Sequence, residues 1–259
     1  MSTEQWIRIG CAGVLLLAAL SIAAIYYGIQ QLPSTNVALV IEERLAEQMV
    51  PVALDQWTSS NDAIAQEKLS TITDRLLKAL PNPAYDYHFY LVEDSEINAL
   101  TLPGGHIVVF QGLLCAADKP EEVAAVIAHE LGHAENHHVI NRLLTESGIR
   151  ITLALLLGQD MGSSYELSQL LISNYFSREQ EAAADAWGFS LLTRAGISPK
   201  AHADFFRKIK SQRKENIPAW LSTHPEDESR INEAENYKLP PNFKSLPLDT
   251  FQWAAIHCP

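Results

Sequence analysis

The apolar and polar positions divide the chain into an apolar leader and a patterned body. From Ile9 to Ile29 no side chain is charged. This run of about 21 positions makes a helix of ~30 Å, the thickness of a bilayer's hydrocarbon core. It ends in Tyr26 and Tyr27, at interfacial depth, and lacks the short core and small-x-small cleavage site of a removable signal. The pattern predicts a retained transmembrane helix, followed by a linker over Gln30 to Asn36.

Ala65, Leu69, Ile72, Leu76 and Leu80 recur at helical spacing, and Pro81-Asn82-Pro83 stops that helix. Tyr85 to Val92 alternates and reads as a strand. Ile97 to Leu102 and His106 to Phe110 read as two more, joined by a turn at Pro103-Gly104-Gly105. Asp118, Pro120 and Glu121 together form a helix start, with Asp118 as cap. That helix is expected to run to about Thr145, ahead of Gly148. Ile149 to Leu157 is apolar but too short to span a bilayer. Further helices are expected from about Tyr165 to Arg194, closed by Gly196, then from Ser198-Pro199, and from Pro225 to Asn236. The tail after Pro240-Pro241 reads as irregular. The fold class is therefore α+β: a mainly helical domain with a small sheet, plus one N-terminal transmembrane helix. Residues 1–31 form the anchor and 32–259 the globular domain, its core about 45–236.

Apolar residues make up 47% of the 259 positions, enough for a packed core. A net charge of -12 disfavours nucleic acid as a partner. The basic group Arg207, Lys208, Lys210, Arg213 and Lys214 reads as a solvated helix face ahead of a lipid contact. Of the three cysteines, Cys11 lies in the apolar run. Cys115 and Cys258 either pair in an oxidising compartment or stay separate thiols.

The chemistry concentrates in His129-Glu130-Leu131-Gly132-His133, an HExxH sequence inside a predicted helix. Residues at i and i+4 share a helix face, so both imidazoles can reach one metal ion, with Glu130 beside them as a base. The bland alternative is a chance match on a helix that also holds His137 and His138. A catalytic zinc needs a third protein ligand. A third histidine ten residues after His129 is ruled out by Val139, which turns attention to a later glutamate. Ser177 to Asp185 offers Glu181 and Asp185 one turn apart, with Ala182, Ala183 and Ala184 small enough for close helix approach.

Across about Leu45 to Ile231 the chain resembles the HtpX and CAAX-prenyl-protease type of membrane zinc metallopeptidases, including their exported single-span bacterial members. The motifs are Asn98-Ala99 through Leu102-Pro103-Gly104-Gly105, Gly112-Leu113-Leu114, His129 to His133 with His138, Ser177-Arg178 to Asp185, Thr223-His224-Pro225 and Arg230-Ile231. The resemblance implies a zincin-like gluzincin domain with one zinc per chain, held by His129, His133 and Glu181, and Glu130 as catalytic base. Glu181 is preferred to Glu179 because the family ligand stands four before the Asp. Asp185 then accepts a hydrogen bond from His129 and fixes its tautomer, unless it is a plain surface carboxylate. His138 matches a family position, and a packed or capping role is the alternative. Asn98 and Ala99 match the edge strand that pairs with an extended peptide. His224 and Arg230 are candidate oxyanion donors, against capping and ion pairing.

These implications add up to a membrane-anchored zinc endopeptidase acting on protein or peptide substrates, in envelope quality control. Arg8 and the α-amino group precede the span, and Glu42 and Glu43 follow it. This charge order places the catalytic body on the periplasmic side of a bacterial inner membrane. A zinc-stabilised chaperone or assembly factor with latent peptidase activity is the alternative. An aminopeptidase fits poorly, since no GAMEN-like stretch is present.

Overall fold

The computed structural model of the protein describes residues 34–146, 176–211, 220, 224 and 228–259. Ile9 to Ile29 and Ile149 to Leu157 lie outside them. No helix among the described residues is long and apolar enough to cross a membrane. The chain divides into two compact units, Met1–Glu43 and Arg44–Pro259. Helix α1 (Ser34–Leu54) begins inside the stretch expected to be linker.

Helix α2 (Ala63–Ala79) is capped by Asp62, whose carboxylate accepts from the amides of Ile64 and Ala65. Its stripe of Ala65, Leu69, Ile72 and Leu76 is buried, as the spacing required. The first two strands are shorter than expected, β1 (His88–Val92) and β2 (Ala99–Leu102), while β3 (His106–Phe110) has the expected bounds; the sheet order is β1-β3-β2. β1 runs parallel to β3, and β2 pairs antiparallel with β3 at the sheet edge. The β2–β3 turn holds Gly104 at φ 73° and Gly105 at φ 79°. At Gly105 an added Cβ would also lie 2.5 Å from that of Tyr85, so glycine is required twice over.

After α3 (Gln111–Ala116) comes α4 (Pro120–Glu135), which carries the HExxH sequence. Nearly all of α4 is buried, because it packs on α2, β2 and two later helices. Its N-cap is Lys119, not Asp118, and makes no side-chain cap bond. Instead Glu122 accepts from the Asp118 amide at 2.9 Å. The helix also ends earlier than expected. Asn136 closes it and His137 takes φ 54°, so α5 (His138–Glu146) starts a new direction.

Of the stretch expected to be helical from about Tyr165, residues 165–175 lie outside the described ones, and helix α6 (Arg178–Arg194) forms the later part. Ser177 and Gln180 form a reciprocal capping box there, which fixes the start. Gly196, at φ 76°, closes it as predicted. Helices α7 (Lys200–Ser211) and α8 (Glu228–Glu235) complete the described set. The described lysines and arginine of α7 are paired: Lys200 with Asp204 at 3.2 Å, Arg207 with Glu235, Lys208 with Asp118, and Lys210 with Glu228 at 2.6 Å, while Arg213 and Lys214 lie outside the described residues.

The decisive contact is α4 against α6. A Cβ on Gly132 would meet the Ala184 carbonyl at 2.6 Å, and one on Gly188 would meet that of Ala128 at 3.1 Å. Small residues on both helices therefore let the backbones touch. The C-terminal tail returns along the body. Leu248 donates to Glu121, His257 donates to Asp62, and Cys258 is disulfide-bonded to Cys115.

Candidate metal centre

On α4, His129 and His133 lie one turn apart and present their Nε2 atoms 2.9 Å from each other. The Gly132–Ala184 contact brings in the first two turns of α6. Glu181 Oε2 then lies 3.5 Å from His129 Nε2, and Oε1 lies 3.4 Å from His133 Nε2. His224 adds Nδ1 at 3.2 Å from His129 Nε2 and 3.0 Å from Glu181 Oε1. These four buried side chains place one potential ligand atom each within 4.8 Å of one another.

Two nitrogens and an oxygen bound at ~2.1 Å to one tetrahedral zinc would lie about 3.4 Å apart. The Glu181 distances match that value and the histidine pair is slightly closer. Glu181 Oε2 also accepts no hydrogen bond among the described residues, though Arg230 Nη1 lies 2.8 Å away. A buried carboxylate whose two oxygens each face an imidazole nitrogen, one of them with no hydrogen bond, fits a site for a cation.

The surroundings set the charge. Asp185, one turn after Glu181, holds His129 Nδ1 at 2.8 Å. Its carboxylate demands a proton on Nδ1 and so directs the Nε2 lone pair into the cluster. Burial alone would push the His129 pKa down, but Asp185 and Glu181 outweigh it and raise it to about 9. Burial likewise works against the Asp185 charge, yet Arg230, His202 and His129 hold its carboxyl well below the usual range. Arg230 reaches Asp185 through Nε at 2.6 Å and Nη2 at 2.9 Å. Glu181 is depressed too, by His224, His129 and His133 against the desolvation of its site. His138 lies 2.9 Å from His133 through the two Nδ1 atoms, and burial lowers its pKa to about 4.

Glu130, next to His129 on α4, points to the same centre. His224 Nε2 lies 3.4 Å from its Oε1, and Trp220 Nε1 donates to that oxygen at 3.2 Å. Asn98 and Ala99 are buried at the start of the edge strand. The Asn98 carbonyl accepts from the Phe110 amide at 3.1 Å, and the Trp220 amide donates to the Ile97 carbonyl at 3.3 Å. Glu179 is exposed, away from the cluster.

The model of peptidase family M48 matches residues 63–238. The chain belongs to this family. Within it, the chain is similar to the beta-barrel assembly-enhancing protease of Yersinia pestis, 28% identical over 68% of this chain and 39% of that protein. It is 28% identical to metalloprotease LoiP of Escherichia coli over 83% of this chain and 92% of that one. With the mitochondrial metalloendopeptidase OMA1 of Arabidopsis thaliana it shares 35% over 54% and 29% respectively. The chain thus spans about two-fifths of the assembly-enhancing proteases it matches. The zinc metallopeptidase resemblance read from the motifs is borne out by the family match.

The structure gathers His129, Glu130, His133, His138, Glu181, Asp185, His224 and Arg230 at one centre. Three further residues at this M48 centre were missed in the sequence: Thr101, His202 and Trp220. Thr101 carries a signal, since strand alternation places it on the same face as Ala99. His202, buried with Nε2 3.5 Å from Asp185, and Trp220 carry none, because their sequence neighbours do not indicate where α7 and residue 220 pack.

Proposed function

We propose that the chain is a membrane-anchored zinc-dependent endopeptidase of envelope protein quality control. The observation that carries this is the buried convergence of His129, His133 and Glu181 beside Glu130, with Asp185 fixing the His129 tautomer. Two imidazoles and a carboxylate are the donor set of a hydrolytic zinc site. A bound zinc would supply Lewis acidity toward the scissile carbonyl and the attacking water. Glu130 removes the proton from that water and returns it to the leaving amine. Asp185 keeps His129 in the ligating tautomer, and His138 supports His133. Arg230, with nitrogens on both Asp185 and Glu181, balances the two acids in this reading and leaves oxyanion donation to His224. The edge strand starting at Asn98 and Ala99 is where an extended peptide would add by backbone pairing.

The Cys115–Cys258 bond supports an oxidising compartment, and with it export of the body to the periplasmic side of a bacterial inner membrane. Ile9 to Ile29 is the span in this reading. The relatives named for barrel assembly favour misfolded or unassembled envelope proteins as substrates.

One observation favours the second reading, a metal-bound chaperone with latent peptidase activity. His224 brings a fourth donor into the cluster, at the position that water or substrate needs. Casein digestion by the full chain, with and without a chelator, separates the two. We expect chelator-sensitive cleavage. A zinc-loaded chain that cuts nothing would leave the chaperone reading.

A further inference from the structure

The carboxylate of Glu130 is fully buried, and each of its oxygens has a partner. Trp220 serves Oε1, and Thr101 Oγ1 lies 2.7 Å from Oε2. The same hydroxyl lies 2.9 Å from the Glu130 main-chain carbonyl. A hydroxyl carries one proton, and the charged oxygen is the stronger acceptor and the shorter contact. Thr101 therefore donates to Oε2, with the carbonyl as a weaker second acceptor.

What makes this contact more than a satisfied polar group is where Thr101 sits. It lies on β2, opposite Ile107 in the antiparallel register, and is 1% exposed. A β-branched side chain in a strand has little χ1 freedom, so the backbone of the sheet sets the position of Oγ1. A glutamate has three rotatable side-chain bonds and is otherwise hard to place. One hydroxyl thus transfers the rigidity of the sheet to the carboxylate, and ties it to the strand proposed to receive the peptide.

We propose that Thr101 is a positioning residue that holds the Glu130 carboxylate at the reacting centre. The proposal rests on the peptidase reading above, with Glu130 as base. A misplaced base slows the chemical step and leaves ground-state binding alone, so the effect falls on kcat and spares KM.

The test uses the full chain with zinc, a fluorogenic peptide, and the variants Thr101→Val and Thr101→Ser. Valine keeps the shape and removes the donor. Its kcat is expected to fall about 10- to 100-fold, the range for a lost hydrogen bond to a charged group, with KM and zinc content unchanged. Serine keeps the donor and should stay within a few-fold of the parent chain. A readout independent of metal and turnover is urea unfolding of the metal-free chain carrying Thr101→Val, Glu130→Ala, or both. The two losses should be non-additive, by about 10-fold in the unfolding constant. A Thr101→Val chain with parental kcat, a serine variant that falls as far as valine, or strict additivity would overturn the proposal. If the parent cuts peptide and Thr101→Val matches it, only Thr101 is lost. If the zinc-loaded parent cuts nothing, the peptidase reading fails and takes this role with it.

Discussion

Gly132→Ala is the most telling single change, because Gly132 neither ligates nor reacts in the proposed mechanism. In the helix interior alanine is favoured over glycine by about 1 kcal/mol, so the local effect is stabilising. The tertiary effect opposes it. The new Cβ would lie 2.6 Å from the Ala184 carbonyl oxygen and 3.0 Å from its Cα, both backbone atoms on α6. Contact at ~3.2 Å requires α6 to retreat by about 0.6 Å, and overpacking of that kind destabilises by about 1–3 kcal/mol. The net loss is then about 0–2 kcal/mol. The larger consequence is at the metal centre. Ala184 lies between Glu181 and Asp185, so the same retreat draws both away from His129 and His133. Zinc affinity should fall by about 10- to 100-fold, as when a ligand loses its support. Gly188→Ala is the control. Its Cβ meets Ala128 at 3.1 Å, needing a shift of only a few tenths of an ångström, and the helix gain offsets it. Chelator competition with circular dichroism reads both quantities. Equal zinc affinity in the two variants would refute the claim that the Gly132–Ala184 contact sets the centre's geometry.

Glu181→Ala should strongly weaken zinc binding while Glu179→Ala, at an exposed position, leaves it unchanged and Asp185→Ala falls between them; dialysis against a mild chelator decides it. Glu130→Gln should keep full zinc and lose about 10²–10⁴-fold in peptide turnover, measured on one preparation. Cys115→Ser opens a loop of 143 residues, for which chain entropy sets an upper loss of about 5 kcal/mol, so a urea midpoint equal to that of the parent would contradict the bond's role. The metal-free chain should be most stable near pH 6.5. Above it, the stability that protonated His129 contributes is lost as pH rises through about 9. Below it, His202, lowered to about 3 chiefly by burial, stays neutral when folded while the unfolded chain gains a proton. The basic limb slopes by up to about 1.4 kcal/mol per pH unit. The acid limb slopes by more, because His133 and His138, also lowered by burial, add to His202. A flat urea profile from pH 5 to 9 would refute these assignments.

Local order was legible wherever a short-range rule governed it. Helical spacing announced α2, alternation announced the strands, and Pro103-Gly104-Gly105 announced a turn that needs two positive φ angles. His129 and His133 were legible as a pair because four residues make about one helical turn. The start of α6 at Arg178 was also written in Ser177 and Gln180, which form a capping box. The break at His137 was not, because a left-handed histidine carries no turn signature of its own. Assembly of the centre lay beyond local rules. That Glu181 meets two histidines 48 and 52 positions earlier depends on Gly132 allowing two backbones to touch. Spacing alone left Cys115 and Cys258 equally able to pair or stay apart, and the course of the tail decided it. The sequence by itself determined which residues carry chemistry and which helix faces they share. Tertiary packing decided which faces meet, since burial and close approach act between segments that are neighbours only in space.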